Sequence, residues 1–106
     1  MGSDNVISLD LSSFTQSDIS KIKSLGEKQT LLYRWFRCER KQKAGLDQYM
    51  IYSGTRSQTP YAAYRIERRK DGSYHLIEQR TDTELVSGRN IDDIISQLPD
   101  DFYYSV

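Results

Sequence analysis

The chain reads as an α+β domain: an antiparallel meander sheet of three to five strands, with an N-terminal helix at 16–25 and a C-terminal helix at 91–98 packed on one face. Three observations predict this. Apolar residues recur at helical spacing in two segments only, Ile19, Ile22 and Leu25 near the start and Ile91, Ile94, Ile95 and Leu98 near the end. Between them lie β-prone runs bounded by turn residues, such as Gln48-Tyr-Met-Ile-Tyr52 and Tyr61-Ala-Ala-Tyr-Arg-Ile66. Asp71-Gly72 stands between two such runs, the pair that a two-residue type I′ hairpin turn prefers. A length of 106 residues holds one core and not two, so residues 1–106 are expected to form a single small domain, with 1–12 and 100–106 as its mobile ends.

Taken in order, Val6, Ile7, Leu9 and Leu11 alternate with polar residues, as a short strand or an ordered arm would. Thr15 is a suitable N-cap for the first helix, with Asp18 three residues on and Phe14 and Ile19 placed as a hydrophobic staple. Gly26 supplies a left-handed stop. The strands begin after residue 46, and Ala62, Tyr64 and Ile66 share one face of the second. The partner strand runs from Ser73 to Arg80, and Glu84-Leu85-Val86 makes a short last one before Ser87-Gly88. Asn90 caps the second helix, Asp92 and Asp93 sit in its first turn where the helix dipole favours acids, and Pro99 follows its end.

Leu31 to Lys43, LLYRWFRCERKQK, fits two periods. As a helix it gathers Leu31, Leu32 and Trp35 on one side and Arg34, Arg37 and Lys41 on another. As a strand it sets Leu31, Tyr33 and Trp35 opposite Leu32, Arg34, Phe36 and Cys38. The aromatic density favours a strand, while Glu27, Lys28 and the basic end favour a helix.

Little in the sequence supports catalysis. His75 is the only histidine and Cys38 the only cysteine, neither within a nucleophile motif. That is too few ligands for a zinc site, and no glycine-rich phosphate loop occurs, so no cofactor and no metal is implied. Glu67, Glu78 and Glu84, with Arg65, Arg68, Arg80 and Arg89 nearby, are expected to form cross-strand ion pairs. A single cysteine suits a reducing compartment. No cationic start and apolar run marks a secretory signal, and no run reaches the roughly 20 apolar residues of a membrane span. A cytoplasmic protein without membrane contact is the expectation.

The charge is unevenly spread. All fifteen Lys and Arg lie between positions 21 and 89 with only eight acids among them, net +7, and the ends carry −7. A sheet presenting Arg34, Trp35, Arg37, Arg40, Lys41 and Lys43, with Arg65, Arg68, Arg69 and Lys70 from the hairpin, would make a basic-aromatic surface. Such a surface suits either a protein partner or single-stranded nucleic acid, whose phosphates meet cations and whose bases stack on aromatics. The eight tyrosines favour a protein. Phe102, Tyr103 and Tyr104 are expected to form an exposed aromatic tail that also binds. The leading expectation is therefore a small non-catalytic binding or regulatory protein working through protein–protein contact, with nucleic-acid binding as the alternative and room for a homo-oligomer. The order helix, three strands, helix resembles that of the double-stranded-RNA-binding domain. That family opens its second helix with a lysine cluster, where this chain has Asn90-Ile-Asp-Asp93, so the resemblance carries over no RNA-binding residue.

Overall fold

The computed structural model describes residues 9–31 and 36–103. Helix α1 (Gln16–Leu31) precedes five strands, β1 (Phe36–Lys43), β2 (Leu46–Ser53), β3 (Tyr64–Arg69), β4 (Tyr74–Glu78) and β5 (Thr83–Gly88), and helix α2 (Ile91–Ile95) follows. The strands form one antiparallel sheet in the order β1-β2-β3-β4-β5, each paired with its neighbours in sequence. A short 3₁₀ turn, Gly54–Gln58, lies between β2 and β3. The expected α+β meander with a helix at either end is therefore present, with five strands rather than the three of the RNA-binding domain.

Both helices pack on the same face of the sheet. Their apolar stripes, Ile22 and Leu25 from α1 and Ile91 and Ile94 from α2, join Tyr49, Ile51, Tyr64, Ile66, Tyr74 and Leu76 in one core. Removing such a side chain from water stabilises the fold by about 1.5–3 kcal/mol, which is why five residues of α2 suffice to hold it. Asn90 accepts from the Asp93 amide and the Asp93 carboxylate accepts from the Asn90 amide, a complete capping box. The helix ends at Ile95, three residues short of expectation, with Ser96 as its C-cap; Ile95 and Leu98 still pack at the rim of the core.

Several local expectations are corrected. Gly26 does not stop α1, which continues to Leu31. Its bareness serves packing instead: a Cβ there would lie 2.7 Å from the Phe36 ring. The ambiguous stretch divides, with Leu31 helical and Phe36 onward in β1, while Arg34 and Trp35 lie outside the described residues. The β3–β4 connection is not a two-residue turn. Gly72 donates to the Arg69 carbonyl, Arg69 donates to the Ser73 carbonyl, and only Gly72 has positive φ, +85°. This is a three-residue loop closed by a glycine bulge, the next most common hairpin. Ala62 sits apart from Tyr64 and Ile66 and packs with Met50 and Tyr52 on the other face, because β3 pairs with β2 only from Tyr64.

The helix-bearing face also carries polar hooks for the chain ends. Thr15 and Asp18 form a reciprocal cap, and the Asp18 oxygen that accepts from the Thr15 amide also accepts from the Tyr74 hydroxyl at 2.6 Å. Asp47, almost wholly buried, accepts from the Phe14 amide and from two nitrogens of Arg40. The Tyr64 hydroxyl donates to Asp101 and the Ser53 hydroxyl to the Phe102 carbonyl. Leu11 donates to Lys70, and the Asp10 carboxylate accepts from Gly45, so the N-terminal segment lies as an arm along two hairpin tips. Phe102 is not an exposed tail residue: it is fully buried, 5.0 Å from the Tyr64 ring and from that of Tyr103, because the sheet offers it an apolar slot beside Phe36.

Burial and then the bond to a carboxylate push the Tyr64 and Tyr74 hydroxyls up to about 12. The unfolded chain ionises these phenols near pH 10. The stability they contribute is thus complete below about pH 10 and lost as pH rises towards about 12. Urea midpoints should fall steeply over that window in the native sequence and less steeply in a Tyr64→Phe, Tyr74→Phe double variant. Some slope should remain, since burial also raises Tyr49, Tyr52 and Tyr103. A flat native profile would contradict the tethering.

Candidate functional site

The strand register decides where the predicted basic residues go. Side chains alternate across a strand, and cross-strand partners share a face. Arg37, Lys41 and Lys43 of β1 pair with Tyr52, Gln48 and Leu46, and Arg65 and Arg69 of β3 pair with Met50 and Leu46. These belong to the sheet face that carries no helix. Arg40 and Arg68 pair with Tyr49 and Asp47 and belong to the helix-bearing face. Arg40 is spent on buried Asp47, which raises its pKa chiefly through their hydrogen bonds. Arg68 lies over the Tyr74 ring, 4.9 Å from its centroid, and donates to the Ser13 carbonyl. Lys70 stands in the hairpin loop. The sequence-predicted patch is thus divided between two faces, and Arg34, Trp35 and Tyr104 lie outside the described residues.

On the helix-free face the arginines Arg37, Arg65 and Arg69 are paired with carboxylates of their own chain. Glu67, only 4% exposed, accepts from Arg65 at 2.6 Å, from Arg69 at 3.2 Å and from Gln48 at 3.2 Å. Arg65 continues to Gln79 and Asp82. Arg69 approaches Glu84 at 3.6 Å, and Glu84 in turn meets His75 Nδ1 at 2.5 Å. Burial alone would raise the Glu67 pKa, but the bonds from Arg65, Gln48 and Arg69 outweigh it and hold the carboxyl below its ordinary value. At the other end Arg37 donates to Glu39, to the carbonyls of Ser57 and Thr59, and stacks over the Tyr52 ring at 3.8 Å. That clasp fixes the 3₁₀ turn and covers the tyrosine. Beneath these long side chains Met50, Tyr52, Ala62 and Ile77 are sealed from water without a second layer. Lys41, Lys43 and Lys70 have no ion pair among the described residues.

The two nucleophile candidates are far from each other's chemistry. Cys38 packs on the helix-bearing face, where burial raises its thiol pKa, whereas His75 faces the other way on β4. His75 is buried, with Nε2 2.7 Å from the Ser73 hydroxyl. That hydroxyl also donates to Asp71 at 2.6 Å, so both ring nitrogens of His75 are engaged by polar neighbours of its own chain. Hydroxyl, ring and Glu84 tie the hairpin to β5. Among the described residues no cluster of three or more metal-ligating side chains occurs, and no helix is long and apolar enough to cross a membrane.

The described residues also line two concavities, on opposite sides of the sheet. A groove of about 500 Å³ between α1 and α2 is lined by Leu25, Ile95, Leu98 and Tyr103, with the Lys21–Asp92 ion pair at its rim. A second, of about 560 Å³, lies over Tyr52 and Lys41. Comparison with protein-family models, curated proteins and solved structures gives no match.

Sequence reasoning anticipated cross-strand ion pairs at Glu67, Glu78 and Glu84. Glu84 makes them with Arg69 and His75, Glu67 pairs instead with Arg65 and Arg69 of its own strand, and Glu78 has none among the described residues. The signal available was the spacing Arg65-Glu67-Arg69, three charges two residues apart and hence on one face. Replacing Glu67 by Gln leaves two guanidinium groups without that acceptor. Urea unfolding should show a loss of about 2–4 kcal/mol. Retention on a heparin column should rise at the same time. Unchanged stability and retention would contradict the pairing.

Proposed function

We propose that this chain is a small non-catalytic binding or regulatory protein that acts by contact with another protein. One observation carries the reading: Arg37, Arg40, Arg65 and Arg69 are each held by a carboxylate of their own chain, and Tyr52, the aromatic among them, is covered by Arg37. Strong binding of a single strand uses free cations for phosphates and open aromatic faces for bases. A face closed in this way offers few of either. A neutral, ordered, polar sheet bounded by an unpaired strand and an apolar groove suits a folded or extended polypeptide better. Tyr103, which lines that groove, is the part of the predicted aromatic tail best placed for contact.

The nucleic-acid reading rests on Lys41, Lys43 and Lys70, lysines of the predicted patch that have no ion pair among the described residues. Anisotropy titrations with labelled single- and double-stranded DNA and RNA at several salt concentrations separate the two. The protein-partner reading predicts weak binding that vanishes at physiological salt. A specific complex, with log K falling by about 0.7–0.9 per decade of salt for each phosphate engaged, would overturn it. The same reading predicts that affinity capture from the native host retains a stoichiometric protein partner after nuclease treatment.

A further inference from the structure

Edge strands carry an unpaired row of backbone donors and acceptors, and this sheet has two of them, β1 and β5. They differ in regularity. β5 is interrupted by a bulge opposite Leu76 and Ile77 and is entered from Asp82 at φ +56°, while a helix packs against each edge strand, α2 on β5 and α1 on β1. β1 pairs with β2 in unbroken register over all eight residues, Phe36↔Ser53 to Lys43↔Leu46. An unbulged strand of that length presents its free backbone groups at even spacing, which is what a further strand needs. Among the described residues no backbone hydrogen bond reaches β1 except those within the sheet. Residues 39–43 are all exposed.

Charge selects the occupant. β1 holds Arg37, Arg40, Lys41 and Lys43 against Glu39, net +3. Arg37 and Glu39 satisfy each other and Arg40 reaches Asp47, so Lys41 and Lys43 are the cations left over. Lysines on an edge discourage pairing with apolar or basic strands. A second copy of β1 would bring its own unpaired Lys41 and Lys43 to the junction and be repelled. An acidic strand would be attracted, its carboxylates falling opposite the lysines in cross-strand pairs.

We propose that the free edge of β1, over residues 39–43, accepts an extended acidic segment of a partner protein as a sixth strand. Main-chain hydrogen bonds supply the affinity, and Lys41 and Lys43 supply the preference for carboxylates. This deepens the protein-partner reading and rests on it.

The test uses fluorescein-labelled peptides of alternating valine and glutamate, the same peptide with lysine for glutamate, and the glutamate peptide N-methylated at alternate residues along one edge. The full chain should bind the first and neither of the others. A Lys41→Glu, Lys43→Glu variant, both positions being exposed, should keep its urea midpoint and lose about tenfold in affinity for the glutamate peptide. Hydrogen exchange should show new protection at β1 amides on binding. Equal binding of the N-methylated peptide would mean that side chains alone hold it and would overturn strand addition. Absence of binding, equal affinity for the lysine peptide, or displacement by an oligonucleotide at lower concentration would also overturn it. If the charge-reversed variant captures the same native partner as the unaltered chain, this inference falls while the protein-partner reading stands.

Discussion

A carboxylate kept from water in the middle of a sheet face costs several kcal/mol unless cations and hydrogen-bond donors close over it. Glu67 meets that condition with Arg65, Arg69 and Gln48, and most of the surface follows from it. The two guanidinium groups must lie along the sheet rather than extend into solvent, so they roof Met50 and Ile77 and remove the need for a third layer. Their remaining donors reach Gln79, Asp82 and Glu84, which draws β4 and β5 into the same network. A five-stranded sheet with helices on one side only is thereby closed on the other by its own charged residues.

The opposite face uses the same economy for a different end. Asp47, Tyr64 and Tyr74 stand in an otherwise apolar core, and each spends its polar atom on a terminal segment: the amide of Phe14, the carboxylate of Asp101, the carboxylate of Asp18. Among the described residues no buried side-chain polar atom lacks a partner. The acids concentrated at the two ends of the chain are therefore largely engaged on their own protein, Asp10 at a hairpin tip, Asp92 with Lys21, Asp93 within its cap.

The elements were legible where periodicity and end signals agreed. Thr15-Asp18 and Asn90-Asp93 are complete caps in the sequence, and Ile22, Leu25, Ile91 and Ile94 occupy the core that their spacing implies. Gly26 misled because a glycine at a helix end and a glycine under an aromatic ring look alike until Phe36 is placed. The division of the basic patch was hidden for a related reason. Whether Arg40 faces Asp47 or solvent depends on the β1–β2 register, and that register is set by the turn at Ala44-Gly45 rather than by any property of β1. Phe102 read as a loose aromatic because its slot is built from β3 and Phe36, residues distant in sequence.

Protein contact is proposed over phosphate binding because Arg37, Arg40, Arg65 and Arg69 are engaged by carboxylates of their own chain. The claim rests on Glu67 being ionised and covered in solution. A carbon-detected NMR titration of its side-chain carboxyl tests this most directly. The arginine contacts predict a midpoint below the ordinary glutamate value, with native structure retained through the transition. A midpoint at or above that value would contradict the account, because the bonds from Arg65, Arg69 and Gln48 would not then outweigh burial at this carboxyl.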